Sequence, residues 1–208
     1  MKDWRFLVEK FVLGKHRPYS EKIILRALMK FKGHRFIDIG ANEGYYSIPL
    51  SKNFKEVYAF EPNTSLFSKW KQKPPNVRLM PVALANSNGP REFYQVGPWN
   101  SLASTFDYKA GHGAEPKVYR GENPVMVESR TYDSFAFDFT DLVKIDVDGA
   151  EFEVLHGMES SLQTRKIGAV MIEVHNMEWE SSVTEVLQGH GFKVKVLDRH
   201  PHLLGRLN

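Results

Sequence analysis

Apolar and polar residues alternate in two different rhythms along this chain of 208 residues. Over residues 1–32 the apolar positions recur at a spacing of three to four, which predicts two helices, the second with Ser20 as its N-cap. The first helix would carry Trp4, Leu7, Phe11 and Val12, and the second Ile23, Ile24, Ala27, Leu28 and Phe31. We expect both apolar faces to pack on the main domain, with contact to a membrane surface or to a partner as the alternative.

From residue 35 onward, short apolar runs alternate with helical segments. The runs that predict strands are 35–39, 57–60, 77–80, 142–147, 169–174 and 192–197. The helices predicted between them are 45–52, 64–72, 150–158 and 178–188. Because strands that alternate with helices at this spacing form βαβ units, the sequence predicts an α/β fold with a doubly wound, parallel sheet.

Residues 91–131 break this rhythm. They contain two predicted β segments, 91–96 and 125–131, and between these the polar stretch 107–124, which we expect to be a lid or an insertion. Trp99, before this stretch, would face adenine or substrate, or pack as an ordinary core residue. His112 would act if the stretch closes over a site, or remain a solvated loop histidine. The predicted division is an N-terminal helical extension over 1–32 and one domain over 33–208.

Composition narrows the class of protein. Hydrophobic residues make up 42% of the chain and charged residues 25%, as is typical of a soluble globular domain. The absence of Cys excludes disulfide scaffolds, thiolate zinc sites and cysteine nucleophiles, and it fits a reducing compartment. No export signal or apolar run of about 18 residues is present, so we expect a cytoplasmic protein. The net charge is +3, and Lys and Arg are scattered, so we do not expect a nucleic-acid partner.

The first predicted strand leads into a loop with two glycines, Gly40 and Gly44, and ligands of doubly wound sheets bind beyond such strand ends. The glycines allow a tight turn and close approach of a ligand. Asn42 and Glu43 stand where a dinucleotide site needs glycine and a phosphate, so phosphate is disfavoured. Two carboxylates, of Asp38 and Glu43, suit a cationic ligand better, and the sulfonium and ammonium groups of S-adenosylmethionine (SAM) meet that description.

A second acid, Glu61, ends the next strand about twenty residues beyond the glycines. From this position an acid accepts hydrogen bonds from ribose hydroxyls. Pro62 follows it, and the alternative is that this pair only starts a helix. Taken together and in register, the loop and Glu61 predict a nucleoside-containing cofactor.

Four segments of the chain together resemble the FkbM-type methyltransferases. They read FIDIGANEGYYS at 36–47, FEP at 60–62, KIDVDGAEFEVLHG at 144–157 and IEVH at 172–175. The resemblance spans roughly residues 35–195 and leaves out the first 32. One position departs from the family pattern, because Asp148 stands where the family commonly has Glu, which leaves the role of that residue open.

The resemblance implies a class I methyltransferase fold, a Rossmann-like, mostly parallel seven-stranded sheet with flanking helices. It also implies SAM as cofactor and O-methylation of a sugar, glycan or secondary metabolite. The residues expected to hold SAM are Asp38, Gly40, Asn42, Gly44, Glu61, Pro62 and Asp146.

Candidate catalytic groups follow two later strands, Asp146 and Asp148 after one, and Glu173, His175 and Asn176 at the end of the other. Neighbouring strand ends would bring them toward the sulfonium, where a base assists deprotonation of a hydroxyl. The candidate bases are Asp146 and His175. The plainer alternatives are a helix cap for Asp146 and a hydrogen bond to backbone for His175.

Two further assignments stay open. Lys144 interrupts a strand expected to be buried, so it either pairs with Asp146 or Asp38 and organises the catalytic end, or extends its ammonium to water. Asp146, Glu173 and His175 offer ligands for a divalent metal, although their spacing matches no fixed metal signature.

Three functions remain under consideration. The first is an O-methyltransferase acting on a small-molecule or glycan acceptor. The second is an RNA or protein methyltransferase, although residues 146–149 lack the motif of adenine N6 methylation. The third is a SAM-binding module without activity.

Overall fold

The computed structural model of the chain describes residues 19–70, 73–95, 104–105, 125–199 and 201–207. The first predicted N-terminal helix, Trp99, His112 and the stretch 107–124 lie outside the described residues.

Eleven strands are present in the described part of the chain. In chain order they are β1 (Gly33–Ile39), β2 (Phe54–Phe60), β3 (Val77–Met80), β4 (Ala83–Leu84), β5 (Gly89–Gln95), β6 (Ser104–Thr105), β7 (Val125–Arg130), β8 (Leu142–Ile145), β9 (Ala169–Glu173), β10 (Phe192–Val196) and β11 (His202–Leu207). Seven of them form one sheet in the order β10-β11-β9-β8-β1-β2-β3. Only β11 runs antiparallel to its neighbours, so the predicted Rossmann-like, mostly parallel seven-stranded sheet is confirmed.

The central strands of the sheet are buried on both faces, as long apolar runs predict. Ile37 of β1 and Val143 of β8 pack into one hydrophobic core, whereas Phe36 and Leu142 pack into a second core on the other face. Parallel pairing then brings the carboxyl ends of β1, β2, β8 and β9 to one edge. This edge is where the sequence predicts the ligand.

Helices cover the two faces. They are α1 (Tyr19–Leu28), α2 (Ser47–Leu50), α3 (Glu151–Gly157), α4 (Glu159–Gln163) and α5 (Glu180–Gly189). Ile24 and Leu28 of α1 are fully buried in the same core as Phe36, which confirms that the second predicted N-terminal helix packs on the main domain. Of the described helices, none combines the length and the apolar character that a membrane span requires.

Two predicted helices are shorter or tighter than expected. The segment 45–52 contains the single turn α2 and then a 3₁₀ turn at Ser51–Asn53. The segment 64–72 contains a 3₁₀ helix, Thr64–Lys69, whose start is capped by the side chain of Asn63. Pro74 closely follows this segment, and residues before proline are disfavoured in helical conformation.

A smaller sheet has the order β4-β7-β5-β6. Its strands β5 and β7, which contain most of the predicted segments 91–96 and 125–131, pair antiparallel with Gly89 opposite Ser129. The end of α3 packs closely against the residues that follow β4 and β7. A Cβ atom at Gly157, the last residue of α3, would lie 2.0 Å from the carbonyl oxygen of Ala85.

We predict that Gly157→Ala lowers the free energy of unfolding by about 1–3 kcal/mol, because overpacking displaces backbone. The matched control is Gly189→Ala at the end of α5, where an added Cβ would meet nothing within 4 Å. It should be neutral or stabilising by up to about 1 kcal/mol, since Ala favours helix. Urea unfolding of the two variants checks this, and equal free energies would contradict the packing described here.

Candidate active site

The loop after β1 makes the tight turn that the sequence predicts. Three of its residues have a positive φ, +75° at Gly40, +48° at Asn42 and +83° at Gly44. The backbone N–H groups of Gly40 and Ala41 both donate to the carbonyl oxygen of Phe60, at 3.0 Å. The loop is therefore fastened to the end of β2.

The space beside the two glycines is filled by the protein itself. A Cβ atom at Gly40 would lie 1.8 Å from the carbonyl oxygen of Asp146, and one at Gly44 would lie 2.9 Å from the ring of Trp70. The missing side chains therefore serve the turn and the packing, and they do not by themselves mark where a ligand approaches.

Glu61 joins the loops after β1 and β2. Its Oε2 accepts from the N–H of Asn42 at 2.9 Å, and its Oε1 accepts from the N–H of Asn63 at 2.8 Å. Burial raises the pKa of Glu61 to about 7, although these two hydrogen bonds favour the carboxylate. Glu61 thus lies at the expected strand end and fixes the two loops relative to each other.

A cavity of about 310 Å³ is lined by Pro62 and Asn63, the two residues that follow Glu61 in the chain. Its opposite wall is β7, where Val125 and Met126 have exposed side chains. Polar residues line it too, Asn63, Thr64, Ser65 and Glu128, so the cavity offers both hydrogen-bonding groups and apolar contacts to a small molecule.

Lys144 is buried, with 1% of its side chain exposed, and pairs with both carboxylates that the sequence proposes. Its Nζ lies 3.3 Å from Oδ1 of Asp38 and 3.1 Å from Oδ2 of Asp146, and it donates to the carbonyl oxygen of Gly40 at 2.8 Å. The alternative, an ammonium that extends to water, is wrong. Asp38 is directly opposite Lys144 in the pairing of β1 with β8.

Opposed effects of burial and pairing set the charges of this group. Burial disfavours the ammonium, but the carboxylates of Asp146 and Asp38 outweigh it and raise the pKa of Lys144. Burial raises the pKa of Asp38 against the attraction of Lys144. For Asp146, Lys144 and His175 outweigh burial and lower the pKa.

The predicted carboxylates of the loop have other partners. Asp38 is fully buried and also accepts from Oγ of Ser47 at 2.6 Å, and Glu43 pairs with Lys69 at 2.5 Å. The acids that remain partly exposed at the strand ends are Asp146, Asp148 and Glu173. Glu43 is 31% exposed as well, so of the two loop carboxylates that the sequence proposed for a cationic ligand, the fully buried Asp38 is the one that such a ligand would not meet.

Asp146, Glu173 and His175 converge at the ends of β8 and β9. One potential ligand atom from each lies within 4.8 Å of the others. Nε2 of His175 is 3.7 Å from Oδ1 of Asp146 and 3.4 Å from Oδ1 of Asp148. The shorter Asp at 148 therefore still reaches the imidazole.

Each plainer alternative for these residues fails in the structure. The N-cap of α3 is Ala150, with no side-chain cap, so Asp146 does not cap this helix. Nδ1 of His175 is hydrogen-bonded to Oε1 of Glu151 at 2.7 Å and not to backbone. Burial favours the neutral ring, but Glu151, Asp146 and Asp148 raise the pKa of His175 to about 10.

The sequence pattern does not indicate two buried partners of these residues. Glu151, fully buried, lies inside the quoted segment 144–157, but its reach to His175 depends on the packing of α3. His202 begins β11, a strand that the sequence did not predict, and its Nε2 lies 3.1 Å from Oε2 of Glu173. Glu173 and Asp198 outweigh burial and raise the pKa of His202 to about 9.

This arrangement agrees with what comparison to known proteins finds. The family model described as the methyltransferase FkbM domain matches residues 38–194, more than half of the chain. The chain belongs to the methyltransferase FkbM domain family. The family resemblance of the four sequence segments is thus confirmed.

Two curated relatives are methyltransferases. Hexuronic acid methyltransferase AglP from Haloferax volcanii is 28% identical over 154 residues, covering 72% of this chain and 59% of AglP. 2-O-methyltransferase NoeI from Sinorhizobium fredii is 24% identical over 174 residues, covering 74% of this chain and 71% of NoeI.

A solved structure shares the fold. Methyltransferase FkbM from Methylobacillus flagellatus superposes with a TM-score of 0.59 at 15% identity, over 91% of this chain and 48% of that one. The chain therefore spans about half the length of that protein and 59% of AglP.

Proposed function

We propose that this chain is a SAM-dependent methyltransferase that methylates a hydroxyl group of a sugar or glycan acceptor. One observation carries the proposal, the direct contact between the glycine loop and the acid cluster. The N–H of Asp146 donates to the carbonyl oxygen of Ile39 at 3.1 Å, and Lys144 bonds both Asp146 and Gly40. A cofactor on the loop would thus lie beside groups able to handle an acceptor proton.

The donor set fits SAM. When bound, SAM supplies a methyl group on a positively charged sulfur. Asp146, Asp148 and Glu173 favour a cation at this edge. Glu61 would accept from the ribose hydroxyls, because each of its oxygens keeps a further lone pair beside its backbone bond.

Other residues of the predicted set would hold the cofactor less directly. The 40–44 loop would lie against the methionine part, and Pro62 lines the cavity of about 310 Å³. Asp38 and Lys144 are enclosed, so we assign them positioning roles.

Methyl transfer to a hydroxyl depends mainly on alignment, and a base that removes the proton adds to the rate. Asp146 and His175 remain the candidates. We prefer Asp146 as the candidate, because its Oδ2 pairs with Lys144 while its Oδ1 lies on the side of His175. Both ring nitrogens of His175 already face carboxylates, those of Glu151 and Asp148.

The name of one relative, hexuronic acid methyltransferase, supports a sugar acceptor, and that of the other, 2-O-methyltransferase, supports transfer to an oxygen atom. The cavity beside Pro62, with the exposed Val125 and Met126 on its far wall, would receive part of such an acceptor.

We keep the cytoplasm as the proposed compartment on the absence of Cys in the sequence.

A basic cavity favours RNA as the second candidate acceptor. It has a volume of about 500 Å³ and is lined by Lys30, Lys193, Lys195 and Arg206, among others. However, Lys193 and Arg206 lie at the opposite end of their strands from His202 and the acid cluster. An acceptor held there would have to reach across the sheet, so the sugar acceptor is preferred.

We predict that Glu61→Gln weakens SAM binding by about 1–3 kcal/mol, because the amide nitrogen cannot accept the hydrogen bonds that the carboxylate oxygen accepts. Calorimetry measures the affinity. Glu56→Gln, near the start of the same strand, is the control and should bind SAM normally. Full SAM affinity in a folded Glu61→Gln variant would exclude the ribose assignment.

The affinity of the unaltered chain should also rise from about pH 6 to about pH 8, as Glu61 loses its proton. Its pKa is about 7, and the nearby charges that act on it are those of Lys144 and Asp148. Because SAM itself titrates, the decisive comparison is with Glu61→Gln, in which the part of the pH dependence owed to Glu61 should vanish.

We predict that labelled SAM methylates uronic acids or other sugars, and that Asp146→Asn lowers the rate at saturating SAM by about 10²–10⁴-fold. Asp138→Asn, a highly exposed acid paired with Arg35, is the control and should keep the full rate. Label found in RNA or protein fractions, and not in sugars, would replace the sugar proposal. A near-normal rate in both Asp146→Asn and His175→Gln would leave alignment alone as the source of the rate.

A further inference from the structure

Three side chains at the catalytic edge face one another and are also partly exposed. Asp146 follows β8, Glu173 ends β9, and His175 comes two residues later. Their exposed fractions are 29%, 28% and 19%, so solvent reaches all of them. Ligand atoms from the three lie within 4.8 Å of one another, and small side-chain rotations would bring them around one ion.

Each of these side chains is oriented by a buried partner outside the group. Nζ of Lys144 lies 3.1 Å from Oδ2 of Asp146, and Nε2 of His202 lies 3.1 Å from Oε2 of Glu173. Glu151 binds Nδ1 of His175 at 2.7 Å. Metal ligands are held in this way, and a histidine ligand in particular donates its other N–H to a carboxylate.

The imidazole of His175 is aimed at carboxylates on its other side. With Nδ1 bound to Glu151, its Nε2 faces Oδ1 of Asp146 at 3.7 Å and Oδ1 of Asp148 at 3.4 Å. Oε2 of Glu151 is buried and, among the described residues, has no hydrogen-bond partner. Because a buried charge is costly unless it is paired, this carboxylate favours a positive charge on or near the imidazole ring.

Among the described residues, negative charge exceeds positive charge around the group, even with both imidazoles counted as cations. The acids are Asp38, Asp146, Asp148, Glu151, Glu173 and Asp198, and the cationic groups are Lys144, His175 and His202. A bound cation would offset this excess.

We propose that Asp146, Glu173 and His175 bind a divalent cation of the Mn²⁺ class. Two carboxylate oxygens and one imidazole nitrogen suit such an ion. A site with three protein ligands also keeps positions open. Resting on the proposed methyltransferase function, we add that these positions take oxygens of the acceptor, which would orient its hydroxyl and make it more acidic. Asp146 and His175 would then act as metal ligands in place of the base assigned to one of them above.

The competing explanation is that the sulfonium of SAM alone balances the acids. The two differ when SAM is absent, because only a metal site binds an ion in the free chain. The probe is therefore Mn²⁺ added to the full chain without SAM or acceptor, with bound and free ion distinguished by electron paramagnetic resonance.

We expect saturable binding of one Mn²⁺ per chain, lost in His175→Gln and weakened about 10–100-fold in Glu151→Gln, which removes only the orienting carboxylate. His190→Gln is the matched control, because His190 also pairs with a glutamate, Glu159, at 3.1 Å but lies outside the group. It should bind Mn²⁺ normally. Thermal unfolding of each variant establishes that the comparison is between folded proteins.

No binding at about 1 mM Mn²⁺, or equal binding in folded His175→Gln and His190→Gln variants, would overturn the proposal. Calorimetry of SAM binding in the presence of a chelator separates this failure from a failure of the proposed function. SAM binding without metal binding would leave the methyltransferase proposal and remove the metal site. Metal binding without SAM binding would leave the metal site and remove the methyltransferase proposal.

Discussion

A buried ammonium group is costly unless carboxylates surround it, and Lys144 is buried between two of them. Because β1 and β8 pair in parallel, Asp38 lies directly opposite Lys144, and the lysine side chain also reaches Asp146 one step beyond its own strand. Its Nζ also donates to the carbonyl oxygens of Gly40 and Ile39. One cation therefore joins the glycine loop, the end of β8 and the centre of the sheet.

The other groups at this edge of the sheet contact the pair formed by Lys144 and Asp146, or the loop that Lys144 binds. Asp146, with one oxygen held by Lys144, presents the other toward His175, which Glu151 orients from behind. Glu61 fastens the loop to the next strand from the other side. The proposed cofactor loop and the proposed acceptor groups thus form one connected unit, which is the physical basis for assigning them to a single reaction.

The sequence predicted the parallel strands well, because strands buried on both faces are continuous apolar runs, and the bounds of β3 agree at both ends. It missed β11, where Gly205 and Arg206 weaken the strand pattern, and with it the contact of His202 to Glu173. The convergence of Asp146 and His175 followed from strand order alone. The pairing of Glu43 with Lys69 did not, because it depends on how a loop and a 3₁₀ helix meet in space.

The central claim is that the ammonium of Lys144 holds the site together, and a double-mutant cycle with Asp38 tests it most directly. Lys144→Met should lower the free energy of unfolding by about 3–5 kcal/mol, since it leaves a buried carboxylate without its counter-ion. Adding Asp38→Asn should recover part of this loss, while SAM binding by the folded protein stays weak. A Lys144→Met variant with unchanged stability and unchanged SAM affinity would contradict the account.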